Sequence, residues 1–175
     1  MKTNIKLILV IIIASVCTLL STSCKKKDQT GSMSVSMTDA PGDYLAVNVE
    51  IIGMQVNHQN SGWVNLPVNQ GVYNLLDLQN NVSVVLASNV QVPVGAVNQL
   101  RLILGPNNSI VDSTGTYPLK VPSGEESGLK MNINETITSN NNLSILFDFD
   151  AGQSVVETGS HTYILKPVLK FKAIL

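Results

Sequence analysis

The chain has 175 residues, 44% hydrophobic, 5% aromatic and 13% charged, with Lys+Arg 11 against Asp+Glu 12. That length buries one core and hardly two, and the formal charge of −1, or −3 once Lys2 and Lys6 are set aside, excludes a nucleic-acid binder. Polar faces must be built from Asn, Ser, Thr and Gln, the composition of an exported β-protein, neither disordered nor membrane-embedded.

Lys2 and Lys6 flank the start of an apolar run from Leu7 to Leu20, broken only by Ser15 and Thr18. Such a run is too short to span a bilayer, so residues 1–23 read as a signal peptide. Ser21, Thr22 and Ser23 directly before Cys24 resemble a bacterial lipobox in its relaxed Bacteroidetes form, with Leu20 one place earlier than usual. The resemblance implies cleavage before Cys24 and diacylation of its thiol, and two chains anchor stably where one does not. Cys17 leaves with the signal. Cys24 is then alone, and no disulfide, thiolate metal site or catalytic thiol exists within one mature chain. Residues 24–32 form a polar tether whose Lys25, Lys26 and Lys27 suit anionic headgroups. The expected location is the cell envelope, lipid-anchored at the outer membrane and facing the periplasm or the cell surface.

Residues 33–175 read as a single β-sandwich domain. Met33, Val35 and Met37 alternate with serines and Thr38, the mark of a half-buried strand. Leu45, Val47, Val49 and Ile51 alternate again, and the phase then flips to Met54, Val56 and His58, which predicts a bulge near Ile51-Ile52-Gly53. Shorter strands follow at Trp63–Pro67, Val82–Leu86, Gln99–Leu104, Ser109–Val111, Tyr117–Val121 and Leu129–Ile133, with one helical turn within Tyr73–Leu78. Leu143, Ile145, Phe147 and Phe149 form a further alternating set, with Asp148 and Asp150 on the opposite, solvent face. Tyr163, Leu165, Leu169 and Phe171 form the last, with Lys166, Lys170 and Lys172 facing water. Many short strands punctuated by turn signals about every ten residues predict an all-β, antiparallel β-sandwich.

Several segments together resemble the domain of unknown function family 4382. They are Ser36-Met37-Thr38-Asp39-Ala40-Pro41 with Asp43-Tyr44, Leu75-Leu76-Asp77-Leu78, Val92-Pro93-Val94-Gly95 before Gln99-Leu100-Arg101-Leu102, Phe147-Asp148-Phe149-Asp150-Ala151 with Ser154-Val155, and Tyr163-Ile164-Leu165-Lys166-Pro167. The resemblance implies an immunoglobulin-like or transthyretin-like sandwich, often on a lipoprotein, and implies no activity. The chain departs from the pattern at Ala96-Val97, where the family favours an aromatic after the glycine.

Asp39 and Asp43 bracket Ala40-Pro41-Gly42, a type II turn signature. The competing reading joins Asp39 and Asp43 with Asp148 and Asp150 as oxygen ligands for Ca²⁺, the only cofactor considered. His58 and His161 read as exposed loop residues, too few and too isolated for zinc. Trp63 reads as core or as a sugar-stacking platform. Asp112-Ser113-Thr114 is similar to a Bacteroidetes O-glycosylation acceptor, with Ser113 the modified residue. Phosphate-cradling glycine loops are absent from the sequence, so no nucleotide is expected. The expected function is a non-catalytic binding or scaffolding domain, monomeric, tied to the membrane through Cys24, with a glycan or an envelope protein as partner. The alternatives are a structural subunit of a surface fibre or envelope complex, and an extracytoplasmic hydrolase using His161 or the carboxylates Asp148/Asp150 or Glu125/Glu126.

Overall fold

The computed structural model describes residues 29–40, 42–122, 128–139 and 141–174. The signal segment, Cys24, Pro41, Glu125 and Glu126 lie outside the described residues. Among the described residues thirteen strands form: β1 (Thr30–Thr38), β2 (Ala46–His58), β3 (Gly62–Leu66), β4 (Gly71–Asn74), β5 (Val84–Pro93), β6 (Gly95–Leu104), β7 (Ser109–Val111), β8 (Thr116–Lys120), β9 (Leu129–Ile137), β10 (Asn142–Phe149), β11 (Val155–Gly159), β12 (Thr162–Leu165) and β13 (Leu169–Ile174). A 3₁₀ turn spans Leu75–Leu78 and a four-residue helical turn Ala151–Ser154. The fold is all-β, in a four-stranded sheet of order β13-β10-β1-β5 and a nine-stranded sheet of order β11-β12-β8-β7-β2-β6-β9, with β3 and β4 also on β2.

Alternation places the core between the sheets. Met33, Val35 and Met37 of β1 and Leu143, Ile145, Phe147 and Phe149 of β10 join Val47, Val49, Ile51, Met54 and Val56 of β2 in one buried cluster. The predicted phase flip is present: the pairing of β2 with β6 slips between Ile51 and Gly53, and Ile52 is left 41% exposed. His58 follows the flipped phase inward and is 2% exposed, not a loop residue; its Nε2 lies 3.3 Å from Val94 O and its Nδ1 accepts from Asn60 N at 3.2 Å. Gly95, at φ +144°, is what lets it fit, because a Cβ there would stand 2.7 Å from His58 Nε2.

The strand directions depart from a purely antiparallel arrangement. β1 runs parallel to β10 and β8 parallel to β12. Parallel neighbours need long crossovers, and here the β2–β9 stretch supplies one by building most of the second sheet between β1 and β10; hydropathy alternation is blind to that direction. The last predicted strand is two strands in different sheets, β12 and β13, since Lys166-Pro167-Val168 breaks the ladder and carries the chain across. Phe171 consequently lies 38% exposed at the edge.

β1 also gives the domain a direction. It starts at Thr30, inside the 24–32 stretch read as a tether, so the folded part begins three residues earlier than expected, and at about 3.3 Å per residue its nine residues advance roughly 26 Å. Pro93, Val94 and the Gly95–His58 contact lie at the tether end, Pro93 pairing with Thr30 and Val94 N donating to Gln29 O at 2.9 Å. Thr38, Asp39, the 3₁₀ turn and the Asp148–Ser154 stretch lie at the opposite end.

Candidate functional site

The end of β1 farthest from the tether is fastened by short polar side chains. Asp39 N donates to Leu78 O at 3.1 Å, while Thr38 Oγ1 lies 2.9 Å from Leu78 O and 2.7 Å from Val82 O, its one proton serving either. Asn74 Oδ1 accepts from Leu76 N at 3.3 Å and from Val47 N at 3.1 Å, which caps the 3₁₀ turn and docks it on β2. On the other side, two carboxylates serve one helical turn. Asp150 Oδ1 accepts from Gln153 N at 2.9 Å, and Asp39 Oδ1 accepts from Ala151 N at 2.8 Å across 112 positions of sequence.

The three buried acids of this end, Asp39, Asp148 and Asp150, differ in charge compensation. Lys170 Nζ donates to Asp150 Oδ2 at 2.5 Å, and Lys172 Nζ stands 3.6 Å from Asp148 Oδ2. Burial opposes the charge of Asp150, yet Lys170, the Gln153 N–H and Lys172 outweigh it and hold the carboxyl below its usual range. Asp39 has no cation. Its burial pushes it up to about 6, the Ala151 N–H and the nearby Gln79 amide offset only part of this, and the Asp148 charge adds to it. Asp39 Oδ2 and Asp148 Oδ1 are buried without a hydrogen-bond donor. A cleft of about 420 Å³ opens beside them, lined by Thr38, Asp39, Asn80, Asn81, Ser83 and Lys172 among others.

Asp148 and Asp150 therefore do not lie on a solvent face: they are 3% and 4% exposed, because the lysines expected to face water fold back over them from β13. The four acids proposed as calcium ligands do not come together as a set. Asp43 is exposed, Asp148 and Asp150 turn to lysines, and among the described residues no group of three or more His, Cys, Asp or Glu stands placed to hold a metal.

Trp63 is neither core nor an open platform. It stands on the outer face of β3 opposite Asn57, half-buried, with the Arg101 guanidinium carbon 3.8 Å from its ring centroid and Arg101 Nη1 donating to Gln55 Oε1 at 3.0 Å. Ser113 is exposed in the turn between β7 and β8. Asp112 beside it is occupied structurally: Oδ1 accepts from Thr114 N, Thr114 Oγ1 and Gly115 N, and Oδ2 accepts from Tyr163 Oη at 2.7 Å. These bonds, the Thr114 hydroxyl first, hold Asp112 well below the usual carboxylate range, and the same pair pushes Tyr163 up. His161 is exposed as expected and stacks on Tyr117 with ring centroids 4.7 Å apart and planes 8° from parallel. Sequence reasoning missed this Tyr117–His161–Asp112–Tyr163 cluster, because β8 and β12 meet through a parallel pairing that no local pattern announces.

The cleft, with its buried and unpaired acid, lies at the tether-distal end of a two-sheet, all-β domain whose described residues include no helix long and apolar enough to cross a membrane. Comparison with known families gives a match over residues 30–167 to the Domain of unknown function (DUF4382), and the chain belongs to that family. No curated protein and no solved structure matches it.

Proposed function

We propose that the protein is a lipid-anchored, non-catalytic binding domain of the bacterial cell envelope, held at the outer membrane through Cys24 and meeting its ligand in the cleft beside Asp39. The observation that carries this reading is a buried carboxylate oxygen with no donor, in a polar cleft at the end of β1 opposite the tether. A tether entering at Thr30 leaves that end reachable from solution, while Trp63, under Arg101 and near the tether end, is less well placed.

Two measurements test it. Labelled palmitate should enter the wild type and not Cys24→Ala, and protease on intact cells beside opened envelopes should assign the leaflet; an unlabelled wild type overturns the anchor. Envelope extracts, glycan fractions included, are then screened for a fraction that raises the thermal midpoint, since a ligand at 100 times its Kd stabilises by about 2.7 kcal/mol. A fraction acting on the wild type and not on Asp39→Asn is expected. If every active fraction acts equally on both, the cleft is not the site.

The fibre alternative would recruit an unpaired edge; β5, β9 and β13 also end the two sheets, and β11 is the shortest of the four. It is five residues long, exposed over Glu157–Gly159 and guarded by the Glu157 charge, the usual device against edge-to-edge pairing. The hydrolase alternative needs two working carboxyls, whereas the cleft lining holds one.

A further inference from the structure

Three carboxylates are buried at the tether-distal end and two lysines face them. Lys170 answers Asp150, Lys172 answers Asp148, and Asp39, 4% exposed and lining the cleft, is answered by none. The segment packed on its other side, Leu78 to Val82, carries no charged residue. A buried acceptor without a donor is rare in native proteins and points to a partner that the chain itself does not provide. One positive charge with hydrogen-bond donors would complete this end.

The geometry narrows that charge. Asp39 Oδ1 is committed to the Ala151 N–H, so of this lining residue's carboxylate a single oxygen, Oδ2, is left for a partner. A guanidinium reads both oxygens of a carboxylate as a fork and finds only one here. A calcium ion needs six to eight oxygens, and Asp39 is the one carboxylate in the lining. A neutral polyol leaves the Asp39 charge uncompensated. An ammonium is compact and carries three donors and no acceptor. The same lining offers the amide and hydroxyl oxygens of Asn80, Asn81 and Ser83 for its remaining protons.

We infer that the cleft takes a primary ammonium group, bound by one N–H to Asp39 Oδ2 and by the others to oxygens of Asn80, Asn81 and Ser83. This rests on the reading of the cleft as the ligand site and names the chemistry it recognises. An amino sugar and a lysine side chain both carry that group. The one internal rival is Gln79, whose Nε2 is buried without an acceptor near Asp39 and would close the site by turning onto Oδ2.

The test is a titration of the full chain in detergent, labelled with ¹⁵N at asparagine and glutamine, with ethylammonium, tetramethylammonium and ethylene glycol. Ethylammonium should move the Asn80 and Asn81 resonances to saturation, with affinity falling about tenfold per pH unit once Asp39 protonates below about 6. Asp39→Asn, which keeps an oxygen for the Ala151 N–H, should weaken binding at least tenfold. Glucosamine and Nα-acetyl-lysine methylamide then tell the two sources apart, binding by either one supporting the inference. Equal shifts from tetramethylammonium would reduce the effect to charge alone and overturn it. Shifts from ethylene glycol without ethylammonium would keep the cleft and discard the ammonium, whereas silence from all five probes would discard both. A Gln79 side-chain amide found bonded to Asp39 in the free protein would overturn it as well.

Discussion

Replacing Asp39 by asparagine should stabilise the protein above pH 6, although it removes an acid that caps a helical turn. The folded-state pKa of about 6 stands above the ordinary 3.8. Between those values the folded chain holds a proton that the unfolded chain releases, so stability is fully present below the lower value and is lost as pH rises through the upper. The full difference is about 3 kcal/mol at 1.36 kcal/mol per pH unit, of which about 1.4 kcal/mol falls between pH 5 and pH 8. Asparagine keeps an oxygen for Ala151 N and replaces the unpartnered, charged Oδ2 by a neutral amide nitrogen. Urea unfolding followed through the single tryptophan, Trp63, at pH 5, 6, 7 and 8 measures both proteins. The difference between them should grow with pH and favour the variant by about 1–3 kcal/mol at pH 8. Parallel pH profiles, or a variant less stable than the wild type at pH 8, would refute the account of Asp39 as an uncompensated buried charge.

Phe147→Ala, at the fully buried centre of β10, should cost about 3–5 kcal/mol by urea unfolding, and a loss under 1 would mean the two sheets do not share one core. Gly95→Ala should cost about 1–3 kcal/mol, since it forces a side chain into positive φ and against His58; His58→Ala in the same chain should recover the steric part alone. Lys170→Ala should lower the thermal midpoint and Asp150→Asn in the same chain should restore part of it, because the single change leaves a buried carboxylate without its cation. Acid should weaken the same end: Asp150 has its pKa lowered on folding, so its stabilisation is present above the ordinary carboxylate range and lost as pH falls through and below it, a loss that Asp150→Asn removes. Millimolar calcium should leave the thermal midpoint where it is, and a rise that Asp148→Asn abolishes would restore the four-acid calcium site.

Much of the fold was legible wherever a strand has one dry face. The alternations of β1, β2 and β10 put their predicted inward apolar residues in the core, except that Leu45 precedes β2 and is 67% exposed, while Thr38 and Asp148 are buried against their phase; the slip at Ile51–Gly53 follows from the rule that a phase change turns every later side chain over. The same rule puts His58 inside with Met54 and Val56; reading it as a loop residue let its polarity outweigh its phase. The edge strands β4 and β11, with alternation too short to stand out, went unread, and so did the parallel pairings, because strand direction is set by the path of the whole chain. At the site, the acids stood out in the sequence while their pairing did not. Asp148 and Asp150 alternate as a solvent face would, and only the return of β13 alongside β10 brings Lys170 and Lys172 over them.

The two capping acids pose different questions about why a carboxylate is there. Asp150 caps its own turn with one oxygen and binds Lys170 with the other, so both halves of the group have work within the fold. Asp39 caps the same turn with one oxygen and leaves the other buried, at a pKa that makes its charge a burden at neutral pH. Capping alone does not call for a charge, since asparagine or serine caps about as well as aspartate. What distinguishes aspartate from asparagine at position 39 is a negative charge on a residue that lines the cleft, and within the fold the buried, unpartnered oxygen subtracts from stability. On the proposed reading, a domain held together by about 5–15 kcal/mol in all gives up part of this at one residue in exchange for recognition, which makes the cleft, and not the half-buried tryptophan, the place to look for the ligand.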